Sequence, residues 1–161
     1  MFLEGREITT GTGHEAGRKL LAQMYARYVG EPMPEIAVQK KGKPYFVNSS
    51  WHLSISHCKH HVFCALSLKP IGIDAEELDR DMRLSLARKI LSAMELAQFE
   101  RAGDPHLALL TFWVLKEAQA KMTGEGLKIY PTHTEFTLSD PRVRQLNGCL
   151  VAVIEEEDHV I

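Results

Sequence analysis

The segment Pro70–Arg80, "PIGIDAEELDR", constrains the fold more than any other stretch of this chain. A β-strand sends successive side chains to opposite faces, so Ile71, Ile73 and Ala75 share an apolar face. Gly72, Asp74 and Glu76 share the other, with the two carboxylates about 6–7 Å apart along the strand. Like charges held that close raise each other's pKa unless a cation sits between them. Any fold for this chain must therefore bury one face of the strand and bring positive charge to the other.

The remaining sequence narrows the class. With 161 residues, 45% of them hydrophobic and 25% charged, the chain suits one compact core or two small halves that share one. A net charge of −2 offers no overall basic field for nucleic acid. No apolar run is long enough to span a membrane, and "MFLEGREITTG" lacks the basic-then-apolar pattern of a secretory leader. Cys58, Cys64 and Cys149 are an odd, scattered set that reads as reduced thiols. The expectation is a cytoplasmic protein.

Periodicity supplies the elements. Leu20, Leu21, Met24, Tyr25 and Tyr28 form a helical stripe over 14–29 that Gly30, Pro32 and Pro34 end. "EIAVQK" predicts a short strand, and "WHLSISH" and "HVFCALSL" predict a hairpin. One or two helices are expected between Met82 and Glu100, with Ser92 and Glu95 as a capping box. The clearest helix is "DPHLALLTFWVLKEAQAKM", with Pro105 near its start and Gly124 and Gly126 beyond its end. Strands around 134–138 and 148–154 complete an α+β pattern.

The 105–122 helix repeats the charge problem of the opening strand. It is apolar almost all round until Lys116, Glu117 and Lys121. Glu117 and Lys121 are four apart and share a face, whereas Lys116 lies about 100° round from Glu117. As a surface ion pair this would contribute only a few tenths of a kcal/mol. Taken with Asp74 and Glu76, it instead assembles three carboxylates suited to a hard cation such as Mg²⁺, with lysines near enough to hold phosphates.

At this point the chain resembles a known family. "GKP" (Gly42–Pro44), "LSISHC" (Leu53–Cys58), "IGIDAEE" (Ile71–Glu77) and "FWVLKEAQAKMTGEGL" (Phe112–Leu127) stand in the order and spacing of the 4′-phosphopantetheinyl transferases. The SISH motif precedes GID, as in the longer Sfp-like subgroup rather than the small trimeric holo-acyl-carrier-protein synthases. The resemblance covers roughly residues 14–154. It implies two pseudo-symmetric α+β halves, 1–70 and 71–161, packed as one compact domain with the first half shortened. It also implies transfer of the phosphopantetheine arm of coenzyme A to a serine of an acyl or peptidyl carrier protein.

Carried over by position, the resemblance makes Asp74, Glu76 and Glu117 the Mg²⁺ ligands. Glu117 is also the base for the carrier serine, Lys121 a phosphate contact, and Lys116 a lysine lying nearby. Arg18, Lys43, Ser56 and His57 match positions that hold the 3′-phosphate and adenine end of coenzyme A. Two other readings stay open: a catalytically silent coenzyme A- or carrier-binding relative, and another Mg²⁺-dependent pyrophosphate-handling enzyme.

Some features depart from the family or fall outside it. Ser54 stands where the family usually has asparagine, Cys58 where it has serine, and Ala75 where it has a larger apolar residue. Only a short stretch precedes the Arg18 helix, where longer members carry an extra strand and helix. The run Arg80, Arg83, Arg88 and Lys89 is the expected docking face for an acidic carrier protein. His52, His57, Cys58, His60 and His61 fit no usual structural zinc spacing, and exposure on a hairpin accounts for His60 and His61. Glu77 reads as a strand-end residue.

Overall fold

Two three-stranded antiparallel sheets carry the fold, and both are wound in the same way. In this computed structural model, which describes residues 1–125 and 134–158, one sheet has the order β1-β5-β4 and the other β6-β8-β7. The strands of the first are β1 (Phe2–Glu7), β4 (His52–His57) and β5 (His61–Ser67). Those of the second are β6 (Ile71–Glu77), β7 (Val143–Leu146) and β8 (Cys149–Glu155). In each sheet the earliest strand pairs with the latest, which lies in the middle, and helical structure fills the connection after the first strand. That segment is α1 (Gly13–Tyr28) in one case. In the other it is a 3-10 turn at Leu84–Leu86 followed by α2 (Ala87–Ile90), α3 (Ala93–Arg101) and α4 (Pro105–Thr123). A small ribbon of β2 (Ile36–Val38) and β3 (Pro44–Phe46) leads into β4. The class is α+β.

Alternation along the central strands sorts the molecule into four layers. Val62, Cys64 and Leu66 of β5 pack on Leu20, Leu21 and Met24 of α1. Phe63 and Ala65 turn the other way, meeting Ile71, Ile73 and Ala75 of β6 and Cys149, Val151 and Val153 of β8 between the sheets. Leu150, Ala152 and Ile154 face the apolar side of α4. The helices are capped as their sequences demand. Thr12 and Glu15 form a capping box on α1, and Ser92 and Glu95 one on α3. Asp104 caps α4 ahead of Pro105, and Gly124 at φ +73° ends it.

Several elements differ from expectation, β3 and β7 among them. β1 was not anticipated; it pairs along β5, with Phe2 stacked on Tyr28 of α1. Residues 134–138 do not form a strand. Their backbone N–H groups are taken by side chains of α3, Phe136 by Glu95 Oε2 at 2.9 Å and Leu138 by Gln98 Oε1 at 3.1 Å. The edge strand is β7, joined to β8 through Asn147-Gly148, both at positive φ as a tight hairpin turn requires. Gly126, expected among the stop signals of α4, lies outside the described residues.

Candidate active site

Gly72 decides how closely α4 approaches β6. A Cβ at this position would stand 2.0 Å from the carbonyl oxygen of Ala118 and 2.3 Å from the amide nitrogen of Met122. The helix backbone therefore rests on the strand, on the face that also carries Asp74 and Glu76. Glu117 and Lys121, flanking Ala118 and Met122, are brought alongside those carboxylates. Lys121 Nζ donates to Asp74 Oδ1 at 3.0 Å.

The three acids behave electrostatically as one group. Burial pushes the Asp74 carboxyl up, against the pull of Lys121. Burial and the charge of Asp74 raise Glu76. Glu117 is pushed up to about 7, by burial first and then by Asp74, with Glu76 adding to it. Asp74 is 5% exposed, and its Oδ2 is buried with no hydrogen-bond partner among the described residues. An orphaned carboxylate oxygen beside two half-buried, mutually repelling carboxylates is a donor set that fits a hard divalent cation such as Mg²⁺. Glu76 is ion-paired with Arg80, whose guanidinium lies 5.4 Å over the Trp113 ring.

Ser56 holds Asp74 from the opposite side. Its hydroxyl accepts from the Ala75 amide at 3.0 Å and donates to Asp74 Oδ1 at 3.4 Å. Ser54, two residues earlier on β4, accepts from the Ile73 amide at 3.0 Å. Among the described residues β6 is an edge strand, and these hydroxyls satisfy amides that no described strand reaches. The alternating serines of "SIS" thus stitch the two sheets together.

A cavity of about 290 Å³ opens above this junction, lined by Lys41, Lys43, Ser54, Glu117, Lys121 and the end of α4. Lys43 Nζ donates to the Met122 carbonyl at 2.8 Å, tying the β2–β3 turn to the last turn of α4. Burial lowers its pKa. Lys41, which reaches the Glu125 carbonyl at 3.2 Å, is a lining residue that sequence reasoning missed. Its signal was the neighbouring lysine of the "KKGKP" turn.

Other expected residues lie elsewhere. Lys116 does not approach the acids: it is buried on the far side of α4, with Nζ 2.7 Å from Glu95 Oε1. The 100° step per helical residue is the reason. Arg18 sits half-buried on α1, where its charge is felt by the Cys64 thiol of β5. His57 is exposed against the start of α1, its Nδ1 2.4 Å from where a Gly13 Cβ would stand. Neither lines the lysine cavity. Arg83 and Lys89 are exposed and line, with Met82, Leu86 and Trp113, a separate hollow of about 340 Å³ beside Arg80. No helix among the described residues is long and apolar enough to cross a membrane.

The chain is similar to known proteins. The family model described as the 4′-phosphopantetheinyl transferase superfamily matches residues 70–156, more than half of the chain. The chain belongs to this superfamily. A 4′-phosphopantetheinyl transferase of Bacillus subtilis is 33% identical over 96 residues, 57% of this chain and 42% of the relative. The 4′-phosphopantetheinyl transferase psf-1 of Bacillus pumilus is 30% identical over 123 residues, 70% of this chain and 52% of the relative. HetI, a 4′-phosphopantetheinyl transferase of Nostoc sp., is 30% identical over 137 residues, 78% and 58% respectively. The chain spans about half the length of these curated relatives. The matched superfamily segment includes β6, α4 and β8, the elements that carry the acids and the sheet beneath them.

Proposed function

We propose that this protein transfers the 4′-phosphopantetheine arm of coenzyme A to a serine hydroxyl of an apo acyl or peptidyl carrier protein, releasing 3′,5′-ADP. The observation that carries this reading is the position of Lys121. It is bonded to Asp74 and shares one cavity with Glu117, Lys43 and Lys41. Three lysines around a cleft that also holds Glu117, next to Asp74 bonded to one of them, suit a diphosphate held with a divalent ion.

Asp74, Glu76 and Glu117 would hold Mg²⁺, which when bound neutralises diphosphate charge and stabilises the departing phosphate. Lys121, Lys43 and Lys41 meet the phosphate oxygens. Ser56, with its hydroxyl already engaged, positions Asp74 rather than touching the nucleotide. Arg18 and His57, at the α1 end of β4, are assigned to the 3′-phosphate end, His57 as an N–H donor. Glu117 takes the proton of the carrier serine as the serine oxygen bonds to the β-phosphorus and the bond to 3′,5′-ADP breaks. Positioning the hydroxyl in line supplies much of the remaining rate. Arg83, Arg88 and Lys89 steer an acidic carrier to the hollow beside Arg80 and Trp113. The free thiols suit a reducing, cytoplasmic setting.

Incubation with an apo-acyl carrier protein, coenzyme A and Mg²⁺, followed by intact-mass measurement, tests the reading. The expected outcome is a gain of one phosphopantetheine, lost with chelation and in Glu117→Gln. Coenzyme A binding without any mass gain would identify a silent relative. Pyrophosphate cleavage without carrier modification would identify a different phosphate-handling enzyme.

A further inference from the structure

The strongest unassigned cluster lies on the opposite face of β6 from Asp74 and Glu76. Cys58, His61, Glu77 and Cys149 each present one ligand atom, and these atoms all lie within 4.8 Å of one another. Cys58 and His61 bracket the β4–β5 turn, closed by the Cys58 amide donating to the His61 carbonyl at 2.9 Å. Glu77 and Cys149 are direct partners in the β6–β8 ladder. The two thiol sulfurs are 3.5 Å apart, the Cys149 sulfur lies 3.6 Å from Glu77 Oε2, and His61 Nδ1 lies 3.9 Å from Glu77 Oε1. His61 Nδ1 is buried without a hydrogen-bond partner among the described residues. Cys149 is fully buried, and the His61 and Glu77 side chains are less than one fifth exposed, so His61 is not the exposed hairpin residue that the sequence suggested.

We propose that Cys58, His61, Glu77 and Cys149 form a closed tetrahedral Zn²⁺ site that clips the β4–β5 turn to the ends of β6 and β8. Zinc–sulfur bonds of about 2.3 Å in a tetrahedron place ligand atoms about 3.8 Å apart, within the range seen here. Two sulfurs, an imidazole nitrogen and one carboxylate oxygen select a borderline-soft ion over Mg²⁺. Binding deprotonates both thiols, releasing their protons to solvent, and gives His61 Nδ1 the partner it lacks. A disulfide is the competing fate of the thiols, but its sulfurs stand about 2.0 Å apart and it would use neither His61 nor Glu77. The clip joins the sheets where their shared core ends, one residue beyond Glu76. It is built from residues outside the proposed transfer machinery, so it stands or falls separately from that reading.

Metal analysis of the untagged full chain, purified without chelator, tests the site together with Co²⁺ titration of the metal-stripped protein. One zinc per chain is expected, with Co²⁺ giving a thiolate charge-transfer band and tetrahedral visible bands. Cys58→Ser and His61→Ala each lose the zinc, while Asp74→Asn keeps it. Chelation lowers the wild-type Tm, zinc restores it, and Cys58→Ser responds to neither. Zinc stoichiometry unchanged by Cys58→Ser and His61→Ala would overturn the proposal. So would Co²⁺ binding with no thiolate band, or a Cys58–Cys149 disulfide in the freshly isolated protein.

Discussion

Lys116 Nζ and Glu95 Oε1 meet at 2.7 Å, and both side chains are completely buried. Glu95 also accepts from the Ser92 amide through Oε1 and from the Phe136 amide through Oε2. This carboxylate joins the start of α3, the middle of α4 and the segment leading to β7. The adjacent residue, Glu117, faces the acid cluster instead, so one helical step separates a structural ion pair from a candidate catalytic group.

Removing one partner of a buried pair leaves an uncompensated charge, which costs about 3–5 kcal/mol. Lys116→Met is therefore expected to destabilise near the lower end of that range, because two backbone donors still serve Glu95. Adding Glu95→Leu recovers only part of the loss, since the Phe136 and Ser92 amides are then orphaned. Urea unfolding of the single and double variants measures both effects. A neutral Lys116→Met would mean the pair carries no weight.

Gly72→Ala tests the closeness of β6 and α4. The new methyl would meet main-chain atoms of Ala118 and Met122, which cannot rotate aside. Overpacking of this kind costs about 1–3 kcal/mol. Because the clash lies at the base of the acid cluster, the proposed transferase activity is expected to fall by more than the loss of folded protein accounts for. Denaturant melts and carrier-modification rates on the same preparation separate the two. Wild-type values for both would contradict the packing described.

The raised pKa of Glu117 carries a definite sign. Its folded value of about 7 lies above that of an exposed glutamate, so the native state binds the extra proton between those values. Metal-free protein should lose stability as pH rises toward 7 from the ordinary carboxylate range, and Glu117→Gln should flatten that part of the curve. Mg²⁺ should raise Tm more above pH 7 than below it, where protonation of Glu117 competes. Tm measured across pH, with and without Mg²⁺, checks both statements. A wild-type curve that overlays Glu117→Gln throughout would remove the coupling.

Arg83→Glu reverses one charge on the exposed basic run without touching the acid cluster. The KM for an acidic carrier should rise several-fold at low salt, while that for coenzyme A stays put. The difference should shrink as salt screens the approach. Steady-state kinetics at two ionic strengths reads this out. Equal carrier KM values for variant and parent would exclude this face as the landing site.

Local patterns made much of the molecule legible. Alternation exposed the acid face of β6, the serine-rich strand β4 and its partner β5, and helical periodicity with caps located α1, α3 and α4. β1 escaped because "FLEGRE" has no sustained apolar alternation; it is held by pairing with β5 and by the Phe2–Tyr28 stack. The strand expected at 134–138 failed because distant side chains on α3 took its amides. The hairpin turn between β7 and β8, Asn147-Gly148, has both residues at positive φ, as its sequence allows.

The site divides along the same line. Sequence alone determined which faces bear acids and lysines, because the periods of strand and helix are set by backbone geometry. Only the tertiary structure decided that Lys116 turns inward to Glu95, that Ser56 is spent on Asp74, and that Lys41 joins the cleft. It alone gathered Cys58, His61, Glu77 and Cys149, which belong to two sheets and are separated by up to 91 positions. Such convergence depends on how closely layers pack and where strands end. No local period encodes those quantities.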